Sequence, residues 1–477
     1  MLQSLFHESY WISRFLIHRS IGLIYLIAFI NALNQFIPLA GERGLTPIDR
    51  FLNMVSFKRA PSIFHWHYSD SFFRLMAWTG IMGSLVAVSG LSDMGPFWFS
   101  MLIWFVLWVL YLSIVNVGQT FYGFGWESML LEIGFYTIFL GPMHRATPVA
   151  VIWIIRWMLF RVEFGAGLIK MRGDQCWRDL TCLNYHHETQ PLPNPLSWYF
   201  HQVPESLHKV ETFFNHVTQL GIIWFIFTPQ PIASIASLLI MLSQSYLIIS
   251  GNYSWLNWMT IFLAFSGFSD DIFSNLLSIS PPAFQAIPLH YHVLVILLFV
   301  AVIIMSIQPV KNLVSPRQMM NFSFNPVHLV NTYGAFGSVT KKRFEIIIEG
   351  TRDQNIDAST EWKAYEFKGK PGAPDRRPPQ VAPYHLRLDW QMWFAAMTTW
   401  NRHPWFPRLI RRLLEGDQQI LGLLKVNPFE EKPPTYIRAR LYRYRYTTPK
   451  ERKETGRWWK RTFVQEYFRP HSLEAFG

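Results

Sequence analysis

Three charged residues, Arg156, Glu163 and Lys170, recur at intervals of seven within the apolar run Pro148–Lys170. On a straight α-helix a seven-residue step returns to nearly the same face, drifting by about 20°. Ionisable side chains are costly in a membrane helix and turn toward a bundle interior or a water-filled cavity. The ladder is therefore either a structural ion network or the wall of a polar reaction chamber. Lys170, at the helix end, admits two roles of its own. It can snorkel to the interface, or it can be a desolvated amine used as a base. Ala166 and Gly167 beside it let a neighbouring helix come close. Asn215, His216 and Gln219 put polar groups on one side of a following span, and Gln244, Asn252 and Asn257 extend that seam. Amides in such places usually make interhelical hydrogen bonds.

The next polar island runs from Lys170 to Pro195 and holds both cysteines of the chain. Cys176 and Cys182 are spaced for a small-loop disulfide in an oxidising compartment, not for a two-residue redox or zinc motif. His186, His187 and Glu188 are contiguous, but adjacent helical residues point apart and no second cluster with ligand spacing follows. No metal site is expected from them. Glu127 and Glu132 project about 140° apart on a helix, so they make no carboxylate pair. Glu127 suits the dipole of a helix start. No GxSxG elbow is present for a serine hydrolase.

These residues sit in a chain of 477 residues that is 50% hydrophobic and carries 21 tryptophans, unlike an ordinary soluble protein. Ser20–Gly41, Leu75–Ser92, Pro96–Val115, Thr212–Ser269 and Ile272–Val310 contain no Lys, Arg, Asp or Glu. A spanning helix takes about 20 apolar residues, so Thr212–Ser269 has room for two or three and Ile287–Gln308 for one. Ser128–Pro142 and Pro148–Lys170 are weaker candidates, interrupted by charge. The expectation is a polytopic α-helical membrane protein with about 8–9 membrane helices, in contact with the lipid bilayer. Ser20–Gly41 should be a retained anchor, not a cleaved signal. Basic residues flank it on both sides (Arg14, Arg19, Arg43, Arg50), which leaves orientation open.

Charge divides the chain. Residues 1–308 have a net charge of −1 and residues 309–477 one of +13. We therefore expect a helical transmembrane domain over 1–310, with an extramembrane loop at about 171–211, and a basic domain over 311–477. Phe344–Glu349, Trp362–Phe367 and Tyr436–Tyr446 read as strands, with helix-like runs at Trp390–Trp400 and Arg408–Lys425. This second part is expected to be a β-rich extramembrane domain, α+β or β-sandwich-like. Its charge suits anionic lipid or acidic clients, and nucleic acid is not expected in a membrane setting.

Several long motifs carry a resemblance. GQTFYGFGWESMLLEIGF, EFGAGLIKMRGDQCWRDLTCLNYHHETQPLPNP, SGNYSWLNW, YEFKGKPGAPDRRPP and PYHLRLDWQMWFAA, then NPF at Asn427–Phe429 and GRWWKR at Gly456–Arg461, resemble the lipase maturation factor family. That resemblance implies a multi-pass endoplasmic-reticulum membrane protein that helps secreted lipases fold and assemble, a chaperone-like role without a cofactor. In a bacterial relative the membrane would be the inner membrane, with the client open. It implies client-facing roles for the C-terminal domain and for the signature loop, in which Arg172, Asp174, Cys176, Trp177, Arg178, Asp179, Cys182, His187, Glu188, Gln190, Asn194 and Pro195 carry the match. Where the family often has paired cysteines in the C-terminal domain, this chain has Gly369 and Pro379. A shorter likeness, AGLIKMRGDQCW, is similar to the vitamin K-dependent carboxylase and its transmembrane relatives. It implies an alternative, a membrane enzyme with Lys170 as catalytic base in a polar cavity and a quinone-like cofactor.

Overall fold

The computed structural model describes residues 6–7, 10–278, 282–285 and 287–476. Near the N-terminus a two-residue strand, β1 (Phe6–His7), pairs antiparallel with β2 (Thr147–Pro148). Largely apolar sequence builds the long helices α1 (Trp11–Ala40), α2 (Asp70–Ser89) and α3 (Phe97–Val117). Ser69 caps α2 by accepting from the Phe72 N–H at 3.1 Å, and Gly90 ends it in the left-handed region at φ +90. α1 packs closely along α2 because Gly80 has no side chain: a Cβ there would lie 2.4 Å from the Phe29 ring. Then follow α4 (Gly125–Thr137), α5 (Val149–Arg172), α6 (Leu183–Thr189) and α7 (Glu205–His216). The membrane-like part closes with α8 (Ile232–Ser250), α9 (Leu256–Ala264) and α10 (Leu289–Met305).

Among the described residues, five helices are long and apolar enough to cross a membrane: α1, α2, α3, α8, and α10 with its continuation to Val314. This is a smaller number than the eight or nine expected from hydropathy. Two physical features account for the difference. Thr212–Ser269 yields one long helix because the Pro229–Pro231 turn stops the preceding segment and the loop Gly251–Ser254 leaves α9 only 9 residues long. The other feature is shortness or charge: α4 has 13 residues, and α5 buries Arg156, Arg161, Glu163 and Lys170. Outward faces of the long helices expose large apolar side chains, such as Leu75 and Trp78 on α2, Leu238 and Leu242 on α8, and Leu297 and Ile304 on α10. Such a belt is what a bilayer covers.

The second part is α+β, and no β-sandwich forms among the described residues. A four-stranded antiparallel sheet has the order β4-β3-β7-β8, with β3 at Arg343–Thr351, β4 at Lys363–Ala364, β7 at Tyr436–Tyr446 and β8 at Trp459–His471. A smaller ladder joins β5 (Glu366–Phe367) to β6 (Leu424–Val426). The single strand expected over Trp362–Phe367 is thus two, which serve different sheets. The helical run expected over Arg408–Lys425 is interrupted: α12 (Trp405–Leu414) ends at Gly416, whose φ of +68 turns the chain toward β6. α11 (Arg387–Ala396) occupies most of the expected Trp390–Trp400 helix. β8, the longest strand, was not among the expected ones. One hydrophobic core runs through both parts, from Phe29 and Trp104 among the membrane helices to Ile346, Met392, Phe406 and Leu441 around the sheet.

Candidate functional site

α5 presents its charged ladder to a line of neutral partners. Arg156 donates from Nε to the Ser266 carbonyl at 2.9 Å and from Nη2 to Tyr10 Oη at 3.1 Å. Glu163 Oε1 accepts from Gln244 Nε2 at 2.5 Å, and Gln244 Oε1 accepts from Asn257 Nδ2 at 2.6 Å. Lys170 Nζ donates to Asn215 Oδ1 at 2.7 Å and to Gln219 Oε1 at 2.9 Å, 4.9 Å from the Trp177 ring centroid. No ion pair links the three. The expected amide seam meets the ladder, except that His216 bonds the Trp177 carbonyl at 3.0 Å and Asn252 lies elsewhere. The close approach expected at Gly167 is present: a Cβ there would meet Leu220 at 2.7 Å and Gln219 at 3.0 Å. Gln219 belongs to a π-helical turn, Val217–Gly221, that follows α7 before a 3-10 segment, Ile222–Phe227. Wide turns of this kind are frequent at functional sites.

Two cavities meet at Lys170. One, about 450 Å³, is bounded by Lys170, Trp177, Thr212, Asn215, Tyr246 and Tyr253. The other, about 320 Å³, is bounded by Trp126, Glu163, Gln244, Lys170, Tyr333 and Trp390. Asn257 and Phe336 border both, and Arg156 borders neither. Both volumes are within the range of small-molecule pockets. Lys170→Met is expected to leave the amide oxygens of buried Gln219 and half-buried Asn215 without that donor and cost about 1–3 kcal/mol. Denaturation of the purified protein measures the cost, and function divided by protein abundance should stay at the wild-type value. A loss of function at full abundance would assign Lys170 a chemical role.

The signature loop is largely built into the fold. Cys176 and Cys182 are joined in a disulfide. Trp177 Nε1 donates to the Phe336 carbonyl at 2.8 Å, and Asp174 Oδ2 accepts from the Val339 N–H at 2.7 Å. Arg172 reaches the Leu313 carbonyl at 2.9 Å, Arg178 the Met171 carbonyl at 2.7 Å, and Asp179 accepts from Gln175 at 2.8 Å. Gln190 donates to the Ser250 carbonyl at 3.0 Å, and Asn194 to the Ile249 carbonyl at 2.9 Å. The Pro195 carbonyl accepts from Arg377 at 3.0 Å. Glu188 Oε2 accepts from the Tyr446 N–H at 2.7 Å, which ties the loop to β7. Of this set Arg172, Arg178 and Asp179 are exposed, whereas His187, Gln190 and Asn194 are buried.

The adjacent histidines diverge as expected of helical neighbours. His186 Nε2 is 2.8 Å from Tyr253 Oη, while His187 turns toward His208 and Glu211 of α7. Burial and the charge of Lys170 lower the His186 pKa to about 4. Burial, reinforced by His186, His208 and His201, holds that of His187 well below the usual histidine value. The sequence signal for this second cluster is His208-x-x-Glu211: on a helix, residues three apart share a face.

Two of the buried ion pairs without a sequence signal start from α4. Glu132 pairs with Arg161 and also accepts from Tyr136 Oη, Tyr333 Oη and the Asn331 N–H, each at 2.8 Å. Glu127, at the first turn of α4 as expected, pairs with Arg387 of α11 at 2.7 Å.

β8 forms the open edge of the sheet. Residues 460–466 are exposed on both faces, including Phe463 and Val464. Its pairing with β7 is interrupted between Leu441 and Tyr442, where Phe463 and Gln465 have partners and Val464 has none.

Comparison with known proteins matches residues 12–275 to the family described as lipase maturation factor transmembrane domain and residues 329–469 to the lipase maturation factor C-terminal domain. The chain is 41% identical to lipase maturation factor 1 of Mus musculus over 98% of this chain and 88% of that protein. It is 39% identical to lipase maturation factor 1 of Homo sapiens, over 98% and 89%. With lipase maturation factor 2 of Xenopus laevis it shares 29% identity over 93% of this chain and 80% of that protein. No solved structure matches it.

Proposed function

The chain belongs to the lipase maturation factor family, and on that premise we propose that it is a multi-pass membrane factor assisting the maturation of lipases by holding incompletely folded client chain. Similarity along nearly the whole length carries the function. The observation that carries the mechanism is the open edge of β8, exposed on both faces over residues 460–466. An edge strand offers unpaired N–H and C=O groups to an extended segment, with pockets on alternate sides supplying selectivity. Lys460 and Arg461 on that edge, with the irregular pairing to β7, discourage strand-to-strand association between copies. Client binding by this route needs no cofactor.

We place the protein in the endoplasmic-reticulum membrane, with the disulfide loop and the C-terminal domain on the lumenal side. A disulfide is at home in an oxidising compartment, and the Glu188–Tyr446 bond between loop and sheet supports one side for both. In this arrangement α4, α5 and α9 are packed between the five long helices as shorter or charged membrane-embedded elements.

A photoreactive amino acid at Val464 tests the mechanism, since surface replacements of this kind change stability by only about 0.5 kcal/mol. Co-expressed with a secreted lipase, the labelled protein is expected to crosslink the immature lipase and not the mature, active form. Absence of lipase adducts at position 464, in cells whose lipase activity depends on the protein, would overturn it.

A further inference from the structure

α6 and α7 bring together two imidazoles and a carboxylate from separate parts of the chain. His187 comes from α6, in the signature loop, and His208 and Glu211 from successive turns of α7. One ligand-capable atom from each lies within 4.8 Å of the others. His208 Nδ1 and Glu211 Oε2 are 2.9 Å apart, and the His187 and His208 rings are 5.6 Å between centroids. His187 is 1% exposed, and neither of its ring nitrogens has a hydrogen-bond partner; His208 Nε2 has none either. A neutral imidazole keeps one nitrogen as a donor and one as an acceptor, and buried polar atoms are almost always satisfied. Two buried imidazoles with unmet nitrogens, beside one carboxylate, call for a ligand able to accept lone pairs.

We propose that His187, His208 and Glu211 form a binding site for a zinc-class divalent cation. Two histidines and one carboxylate are an established zinc ligand combination, with a fourth position left for water or another ligand. Hard cations such as calcium and magnesium select oxygen donors instead. Zinc–nitrogen bonds of about 2.1 Å place tetrahedral ligands roughly 3.4 Å apart, so the cluster closes around an ion by small side-chain rotations. His201, half-buried and with Nδ1 unpartnered, is a further imidazole close enough to act on His187. An ion here fastens the signature loop to α7. One turn beyond Glu211, α7 carries Asn215, which accepts from Lys170. Glu211 also lines the 450 Å³ cavity, so the ion borders that space.

The test uses tag-free full-length protein in detergent micelles, purified without chelator. Elemental analysis is expected to find one zinc per chain. After chelator treatment, added zinc chloride should restore that ratio and raise the Tm by several degrees. His187→Gln and Glu211→Gln should each weaken zinc binding by more than about tenfold, while His67→Gln, an exposed histidine outside the cluster, binds as wild type. Glu211 is the safer variant for folding, since its side chain is 24% exposed. Stripped protein that gains neither zinc nor thermal stability would overturn the proposal. So would zinc uptake that both cluster variants leave unchanged, which would mark adventitious binding at other histidines.

Discussion

Arg387→Ala is expected to destabilise the protein by about 3–5 kcal/mol, the cost of leaving one partner of a buried ion pair alone. The Arg387 side chain is fully buried. Its Nη1 donates to Glu127 at 2.7 Å and to the Phe121 carbonyl at 2.8 Å, and its Nε donates to Asn31 at 2.9 Å. The guanidinium lies 3.5 Å from the Tyr122 ring centroid. Truncation removes all of these and leaves the buried Glu127 carboxylate without its cation, with Tyr111 Oη and His385 beside it. Glu127→Gln combined with Arg387→Met should cost less than the sum of the single changes, because neither residual group is then charged. Denaturant titration in micelles measures both, and a single-variant loss below about 1 kcal/mol would contradict the assignment.

The same substitution has a pH signature. His385 lies 3.7 Å from Glu127, and burial together with the charge of Arg387 lowers its pKa to about 4. In the unfolded chain a histidine titrates near 6.5. Between those values the unfolded state binds the extra proton, so wild-type stability falls on acidification. Without Arg387 the His385 pKa rises toward its unfolded value, and this acid loss shrinks. The gap between Arg387→Ala and wild type should therefore narrow from pH 7 to pH 5.

Arg343→Ala should also destabilise the protein, by about 1–3 kcal/mol for each buried carbonyl left without its donor, through a different junction. Arg343 is the first residue of β3 and is 1% exposed. It donates to the carbonyls of Glu188 and Pro191, each at 3.0 Å, to that of Gln190, and to Glu345 at 2.8 Å. One guanidinium thus holds three carbonyls of the signature loop, within residues 188–191, against the sheet. Its loss leaves Glu345 with Lys370 as its cation and frees the loop. Protease cleavage between Glu188 and Asn194 should appear in folded variant protein and not in wild type. Arg343→Lys should rescue little, because a point charge cannot replace a planar fork serving several acceptors. An intact loop in Arg343→Ala would show that the remaining contacts suffice to dock it.

Features governed by local pattern were legible in the sequence. The alternation of YIRARLYRYRY located β7 to the residue, and charge-free runs marked the long helices. The seven-residue ladder on α5 and the glycine beside Lys170 also stood out. What was hidden depended on distant partners. Glu127 read correctly as a helix-start residue, yet its cation is 260 residues away. Arg161 lies outside the seven-residue spacing, although it neutralises Glu132. His187 was set aside because its neighbours His186 and Glu188 point elsewhere, and its companions sit on another helix. β8 escaped because its middle is exposed on both faces, so no alternation of polar and apolar residues announces a strand.

The junction between α1 and the sheet domain also sets a schedule for making the protein. Asn31 and Gln35 donate to the His385 carbonyl at 2.6 and 2.7 Å, and Gln35 accepts from the Arg387 N–H at 3.0 Å. A ribosome adding 5–20 residues per second takes roughly 20 to 70 s to travel from the first partners to the last. Through that interval the first inserted helix carries amides near one end whose final partners have not been synthesised. The later spans, to Val314, are thus made before α1 gains its last contacts. The newborn chain waits in a state that resembles a folding client, and a nonsense mutation upstream of codon 385 would hold it there permanently.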